Sequence, residues 1–171
     1  FEDRYTPPAI HHCAIEPHTA IASMDARGKL TLIAPFQNTF GERIVLSRIF
    51  GMPLSRIRAI SPTIGGAFGG KMEACIELIP AALTMLCHRP VKLTMTRREC
   101  MVATRVRHAS VTYIRTGVKN DGTITAQDIR VITNTGAYAS SAGNVIGAMS
   151  AKVFKAYKIP NMRFIGTPVY T

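Results

Sequence analysis

Apolar and polar positions along the chain alternate with a strand-like period in several short stretches. Residues 14–22 and 30–34 are expected to be extended, with a turn at residues 25–28 between them. Residues 56–61, 91–96 and 162–170 are predicted as further strands. Residues 111–117 and 123–133 flank the sequence KNDG (119–122), which predicts a hairpin because Asn, Asp and Gly tolerate positive φ.

Helical spacing appears first after residue 39. Thr39 and Glu42 match a capping box, in which a hydroxyl caps the helix and a carboxylate three residues later reaches back to its amide. The helix is expected to end near Gly51. It is expected to form one apolar side from Ile44, Val45, Ile49 and Phe50.

Two further stretches predict helices, at residues 72–88 and 144–156. Within the first, Pro80 removes one backbone hydrogen bond and is expected to kink the helix. Its expected apolar side consists of Ile76, Ile79, Leu83 and Leu86. Helices and strands mix without a strict βαβ rhythm, so the fold class predicted is α+β, a mixed sheet with flanking helices.

The length of 171 residues suits a single domain over residues 1–171. No apolar run approaches the roughly 20 residues needed to span a bilayer, so no membrane association is expected. The first residues are neither the basic start nor the apolar stretch of a signal peptide, and no initiator Met is present. The chain is therefore expected to be an excised part of a longer one.

The charge balance is strongly basic, with 21 Lys and Arg against 10 Asp and Glu and a net charge of +11. For a lone domain, this balance would suggest a basic polyanion- or nucleic-acid-binding module without catalysis. The basic residues are spread along the chain, however, and there is no Trp to form a stacking platform. Nucleic acid is therefore not the expected partner, although polyanion binding stays as an alternative.

Cysteine and histidine do not indicate a metal site. Cys13, Cys75, Cys87 and Cys100 form no CxxC pair and lack a histidine at zinc-finger spacing. They are expected to be small buried thiols in a reducing compartment, which favours the cytoplasm. The three histidines His11, His12 and His18 are expected to be ordinary hydrogen-bonded or surface side chains.

The segment with the most chemical information is GGAFGGK, residues 65–71. Four glycines in six residues allow close backbone approach, and free N–H groups before a helix would suit an anion, with Lys71 adding a charge. Met72 excludes a Walker A loop, which needs Ser or Thr at that position, and no GxGxxG precedes the helix. A tight turn and an anion-binding loop both remain open on these grounds.

GGAFGGK resembles the molybdopterin-contacting loop of the large subunit of the xanthine dehydrogenase and aldehyde oxidase family, where a GGxFGxK pattern occurs. Four other stretches resemble that family in the same order: HHCAIEPH (11–18), PFQNT (35–39), RPVK (89–92) and YKIPN (157–161). The resemblance covers the chain from about residue 5 onward. It implies an N-terminal part of the molybdopterin-binding region of a longer chain.

The resemblance also implies site residues. Gln37 is expected to hydrogen-bond a non-protein ligand of the metal, because a carboxamide can donate to an oxygen without adding charge. Phe68 would contribute its backbone to the same ligand sphere, so that Gln37 and Phe68 reach molybdenum only indirectly. The cofactor-binding residues expected are Gln37, Gly66, Ala67, Phe68 and Gly69.

The chemistry implied by the resemblance is hydroxylation of a heterocycle or aldehyde carbon with oxygen from water. Electrons would leave through 2Fe–2S clusters and FAD to NAD, on other domains or subunits. The family's catalytic Glu and its substrate-orienting Arg belong to motifs that this chain does not contain, so no catalytic residue is expected here and the chain alone is expected to be inactive. A relative that has lost catalysis and serves in assembly is a further alternative.

One departure from the family concerns the substrate. Members that hydroxylate purines carry Glu directly after the loop Lys, whereas this chain has Met72 there and Glu73 one residue later. On a helix, a shift of one residue turns a side chain by about a quarter turn, so Glu73 does not inherit that role. Purine is therefore a doubtful substrate.

Overall fold

The computed structural model describes all residues from 1 to 171, and the chain folds into two compact units. One unit is His11–Val106, called the loop unit below because it contains residues 65–71. The other, called the hairpin unit, comprises Phe1–Ile10 and Arg107–Thr171. The expectation of one domain over the whole chain stays a prediction.

The loop unit combines strands and helices around one sheet. Its elements are β3 (Thr19–Met24), β4 (Leu30–Ile33), α1 (Thr39–Phe50), a 3₁₀ turn (Leu54–Arg56), β5 (Ile57–Ile60), α2 (Leu78–Cys87), β6 (Val91–Thr94) and α3 (Arg97–Ala103). The four strands form a mixed sheet in the order β5-β4-β3-β6. Strands β3 and β4 are antiparallel, as are β3 and β6, whereas β4 and β5 are parallel.

The hairpin unit has a second mixed four-stranded sheet. Its elements are β1 (Glu2–Tyr5), β8 (Ser110–Val118), β9 (Ile124–Asn134), α4 (Ala142–Ala156) and β10 (Asn161–Val169), with β2 (Ile10–His11) and β7 (Val106–Arg107) where the two units meet in sequence. The strand order is β1-β8-β9-β10. Strands β8 and β9 form the antiparallel hairpin predicted around residues 119–122, and β10 adds to β9 in parallel. Helix α4 packs against β10.

Two mixed sheets with flanking helices confirm the α+β prediction. The strands expected at residues 30–34, 56–61, 91–96 and 162–170 are present within one or two residues at most ends. Five short elements were not predicted: β1, β2, the 3₁₀ turn, β7 and the helix α3. None of the helices is long and apolar enough to cross a membrane.

The core of the loop unit lies between its sheet and helices α1 and α2. Small residues line the contact: Ala20 and Ala22 of β3 are fully buried, and so is Ala81 of α2. The hydroxyl of Thr84 donates to the Ala22 carbonyl at 2.9 Å, which ties α2 to the sheet by a buried polar contact. Small side chains let the helix approach the sheet closely, and Leu78 and Met85 of α2 pack at the border of this core.

The predicted apolar side of α2 is wrong for three of its four residues, since only Ile76, which precedes the helix, is buried. Ile79, Leu83 and Leu86 are exposed, whereas Pro80, Ala81 and Thr84 are buried. The helix also begins at Leu78 rather than near residue 72, which places Pro80 in the first turn, where its missing N–H breaks no helical bond. The predicted kink is therefore wrong as well.

In α1, the predicted apolar side is right for Phe50, which packs against the core, and for the half-buried Val45, but wrong for Ile44 and Ile49. Ile44 and Ile49 are exposed, and the residue that enters the core is Leu46, with no exposed surface. The predicted capping box is also not formed, because the helix cap is Asn38, whose side chain accepts from the Gly41 amide at 3.0 Å. Glu42 turns inward and is 3% exposed.

The cysteines are all free thiols, but only Cys100 is buried, and Cys13 and Cys87 are exposed. The prediction of small buried thiols is therefore wrong for these two. Burial raises the pKa of the half-buried Cys75 to about 11, and the nearby Glu77 carboxylate adds to this shift. The Cys75 thiol consequently stays protonated at neutral pH.

Candidate functional site

The glycine loop, residues 65–71, has an unusual backbone. Gly66 and Gly69 both have φ of +97°, which glycine adopts without strain. Phe68 has φ of +52° although it carries a side chain, and that side chain is 74% exposed. A strained, exposed aromatic residue between two left-handed glycines is typical of a functional loop rather than of a plain turn.

One expectation for this loop is wrong. The sequence predicts a helix directly after Lys71, whose N-terminus would add partial positive charge. Residues 72–77 instead form turns and bends, and α2 begins at Leu78. The loop is therefore not at a helix N-terminus, and only its own amides can attract acceptor atoms.

The amides of the loop divide into two groups. The Gly70 amide donates to the Ala67 carbonyl at 2.8 Å, and the Gly69 and Lys71 amides donate to Gln37. The amides of Gly66, Ala67 and Phe68 have no acceptor within the protein. Three successive free N–H groups in a loop can bind an anion or another hydrogen-bond acceptor. They are three of the five cofactor-binding residues expected from the sequence, whereas the amide of Gly69, a fourth, is bonded to Gln37.

Gln37 lies beside this loop. Its Oε1 accepts from the Gly69 amide at 2.9 Å and from the Lys71 amide at 3.2 Å, and its own backbone amide donates to the Lys71 carbonyl at 2.9 Å. Because both side-chain partners are donors, the oxygen must face the loop. The Nε2 group of this exposed side chain is thus left as an oriented donor. The Gly69 amide is not free to bind a ligand, because it donates to Gln37.

Lys71 does not present its charge to solvent. Its side chain is 1% exposed, and its Nζ lies 2.8 Å from Oε2 of Glu16. The expected contribution of Lys71 to an anion site is therefore wrong. Burial raises the pKa of Glu16, but the hydrogen bonds from Lys71 and from the Gly65 amide outweigh it, so the net pKa is lowered and the ion pair persists at neutral pH.

The segment of residues 11–18 underlies the loop. His18 is buried, and its Nε2 lies 3.2 Å from the Gly70 carbonyl. Burial lowers the pKa of His18, so its imidazole is neutral at neutral pH and serves as a hydrogen-bond partner. The cavity between this segment and the loop is only about 10 Å³, which is too small for any ligand larger than a water molecule. The accessible side of the loop is its outer one.

The loop is fitted closely to this segment at two glycines. A Cβ on Gly65 would lie 2.6 Å from the Cβ of Glu16, and a Cβ on Gly66 would lie 3.4 Å from the Cβ of Ala14. A side chain at residue 65 would therefore force the loop and the segment apart. Glu16 lies 49 residues from Gly65, and no pattern in the sequence predicts the hydrogen bond between them.

Met72 and Glu73 are the two residues from which the sequence makes purine a doubtful substrate, and they have different surroundings. Met72 is exposed, whereas Glu73 forms an ion pair with Arg105. Glu73 does not lie on a helix, so the helical reason given for its different orientation is wrong. Its pairing with Arg105 supplies another reason why it does not simply take the role of a Glu at residue 72.

The arrangement as a whole is a set of backbone and carboxamide donors that could bind acceptor atoms of a non-protein group. Three amides without an acceptor within the protein lie in the same loop whose Gly69 amide orients the Gln37 carboxamide, and the Lys71 charge beside them is paired with Glu16. Such a set of neutral donors suits a cofactor whose own atoms carry the reactivity.

Comparison with known proteins identifies the family. The model of the molybdopterin cofactor-binding domain matches residues 1–171. This chain belongs to the molybdopterin cofactor-binding domain family, and the resemblance seen in the sequence is confirmed.

Individual relatives agree. The chain is 34% identical over all of its length to a probable xanthine dehydrogenase subunit of Bacillus subtilis, of which it covers 23%. It is 32% identical over 99% of its length to the nicotinate dehydrogenase large molybdopterin subunit of Eubacterium barkeri, of which it covers 40%. The fold matches the aldehyde oxidoreductase of Desulfovibrio gigas with a TM-score of 0.88, at 25% identity, over all of this chain and 19% of that one. The chain thus spans between about a fifth and two fifths of the length of these relatives.

Proposed function

We propose that this chain forms part of the cofactor cradle of a molybdenum hydroxylase, an oxidoreductase that hydroxylates a heterocycle or aldehyde carbon with oxygen from water. The observation that carries the proposal is the set of donors at the glycine loop, within a domain of the molybdopterin cofactor-binding family. Electrons would pass to 2Fe–2S and FAD groups on other domains or subunits, and then to NAD.

The residues of the cradle have separate roles in this proposal. Gly66, Ala67 and Phe68 offer backbone amides to acceptor atoms of the cofactor, and Gln37 offers its Nε2 to a non-protein ligand of the metal. Gly69 holds Gln37 in place through its amide, at 2.9 Å, and adds no further amide of its own. The metal contacts of Gln37 and Phe68 are therefore indirect.

The exposure of the loop leaves its outer side accessible to a cofactor. The exposed side of the loop is open around Phe68, and Gly66 has φ of +97°, so any other residue there would strain the backbone that presents the amides. When bound, the cofactor supplies a Lewis acid and an electron acceptor, which side chains do not provide. The protein positions it and fixes the orientation of one donor.

The remaining assignments are also proposals. The exposed Met72, with Glu73 paired to Arg105, argues against purine as the substrate. We place the base and the substrate-orienting residue outside this chain, together with the 2Fe–2S and FAD partners. We also propose a cytoplasmic location, from the four free thiols. The polyanion-binding alternative is not supported by any of these observations.

Replacement of Gln37 by Ala in the intact protein tests the proposal. Turnover should fall by about 10- to 100-fold, the usual cost of losing a group that orients a metal ligand. The unfolding temperature should change by only a few degrees, because Gln37 is exposed. Turnover would be measured with xanthine, nicotinate and benzaldehyde and a dye acceptor, alongside calorimetry.

A matched control is Gln127→Ala in the hairpin unit, which removes a carboxamide bonded to Thr116 at 3.2 Å. This variant should keep its turnover. If Gln37→Ala loses stability and turnover in equal proportion, Gln37 is a structural residue. Intact, active protein that contains neither molybdenum nor pterin would contradict the whole proposal.

A further inference from the structure

One carboxylate joins the two ends of the glycine loop. Oε2 of Glu16 accepts from the Gly65 amide at 3.0 Å, where the loop begins, and from Nζ of Lys71 at 2.8 Å, where it ends. The backbone adds two more bonds. The Glu16 amide donates to the Gly65 carbonyl at 3.0 Å, and Nζ of Lys71 donates to the Glu16 carbonyl at 3.1 Å.

Burial makes this connection hard to break. The Lys71 side chain is 1% exposed and that of Glu16 is 28% exposed. An ammonium group in that position needs its counter-ion, because an unpaired buried charge is costly. The close approach of Gly65 to the Cβ of Glu16 leaves the loop no room to shift toward the segment beneath it.

Glu16 is itself fixed from both sides along the chain. Arg97 of α3 donates to the Ile15 carbonyl at 2.7 Å, and His18 bonds the Gly70 carbonyl. The carboxylate therefore belongs to a segment tied to α3 and to the loop. A ligand on the outer side of the loop does not reach Lys71, because Nζ has no open surface and faces Glu16.

We propose that Glu16 and Lys71 are positioning residues for the cofactor. Joined to each other and to Gly65, they hold the ends of the loop at a fixed separation and so set the directions of the free amides at residues 66–68. Gln37 fixes the same loop from the other side, at Gly69 and Lys71. This inference rests on the proposed function for its cofactor, but the rigidity of the loop can be measured without one.

The test uses hydrogen exchange by mass spectrometry on the intact protein, in peptides that contain residues 65–71. Lys71→Met keeps the length of the side chain and removes its charge. The bonded amides of Gly65, Gly69, Gly70 and residue 71 should exchange at least about tenfold faster than in the unsubstituted protein. Glu16→Gln keeps an oxygen that can accept both bonds but leaves the buried Lys71 ammonium without its counter-ion, so the same amides should also exchange at least about tenfold faster.

Asp128→Asn in the hairpin unit is the matched control, because it breaks the Arg163–Asp128 ion pair at 2.6 Å far along the chain from the loop. Exchange in residues 65–71 should not change in this variant. Pterin content per folded protein, measured by fluorescence after oxidation, should fall in Lys71→Met and stay constant in Asp128→Asn.

Unchanged loop exchange in Lys71→Met overturns the inference, whatever the pterin content. If Lys71→Met does not fold, unchanged exchange in Glu16→Gln has the same meaning. Faster exchange with undiminished pterin overturns the positioning role. If the unsubstituted protein contains no pterin, the proposed function fails and the positioning role fails with it, while the exchange data still decide whether the ion pair holds the loop.

Discussion

Two stretches of this chain share the spacing of a capping box, and they fold differently. Thr96 and Glu99 form the box at the start of α3: the Thr96 hydroxyl accepts from the Glu99 amide at 3.2 Å, and the Glu99 carboxylate accepts from the Thr96 amide at 2.7 Å. Thr39 and Glu42 have the same spacing at the start of α1, but no such pair of bonds forms there. Sequence spacing alone is therefore not sufficient for a capping box.

A single residue explains the difference. At α1, Asn38 precedes the threonine and takes the cap position, so that Thr39 becomes the first helical residue. Glu42 is then the fourth helical residue instead of the third, and a shift of one residue rotates a side chain by about 100°. Glu99 points back to its cap, whereas Glu42 points into the core.

The two carboxyl groups consequently have opposite pKa shifts. Hydrogen bonds from Thr96 lower the pKa of the exposed Glu99. Burial raises the pKa of Glu42 to about 7, and the nearby carboxylate of Glu77 adds to the shift. Oε1 of Glu42 has no hydrogen-bond partner, which agrees with a group that is easier to bury when neutral.

The largest effect is expected from Glu42→Gln. Relative to the ordinary value of 4.5, a folded-state pKa of about 7 costs about 3 kcal/mol once Glu42 is charged, since one pKa unit is worth about 1.4 kcal/mol. The unfolded chain loses its proton at lower pH than the folded one, so stability falls as pH rises from 4.5 to 7 and stays low above. Glu42→Gln should remove this fall, and it should be more stable than the unsubstituted protein at pH 8.

Urea unfolding of the intact protein between pH 4 and 8 would measure this difference, from the transition that reports the loop unit. Glu99→Gln is the natural contrast. Because the pKa of Glu99 is lowered, the ionised carboxylate stabilises the folded protein above pH 4.5, and this stabilisation is lost as the pH falls. Stability therefore rises with pH through this group, and Glu99→Gln should reduce that rise. Equal pH profiles for the two variants would contradict the assignment of opposite environments.

A smaller effect is expected at the caps themselves. Thr96→Ala and Asn38→Ala should each destabilise the protein by about 1 kcal/mol, because each removes the oxygen that accepts an amide at the start of its helix. The midpoint of urea unfolding measures both. A loss at Thr96 without a loss at Asn38 would mean that Asn38 is not the functional cap of α1.

The smallest effect is expected for Thr39→Ala. The Thr39 hydroxyl makes no capping bond, so the change in unfolding free energy should stay within about 0.5 kcal/mol. A loss of stability as large as that of Thr96→Ala would mean that Thr39 caps α1, as the sequence predicts. It would contradict the assignment of Asn38 as the cap.

Turns were the most predictable part of the fold. Asp25 accepts from the amides of Arg27 and Lys29, and Gly28 and Gly122 adopt positive φ, all of which local chemistry requires. The inward sides of the helices were less predictable. In α2 nearly every residue is apolar, so its periodicity did not indicate that Ala81 rather than Leu83 faces the sheet.

The sequence by itself determined the family, the turns and the glycine loop, because each depends on residues adjacent in the chain or on motifs shared with relatives. The position of Gln37 came from that resemblance, but the direction of its carboxamide was decided by two amides more than 30 residues away. Tertiary structure alone decided that Lys71 is buried against Glu16 and that burial raises the pKa of Glu42 to about 7. Burial and pairing are properties of neighbours in space, and spacing along the chain does not specify them.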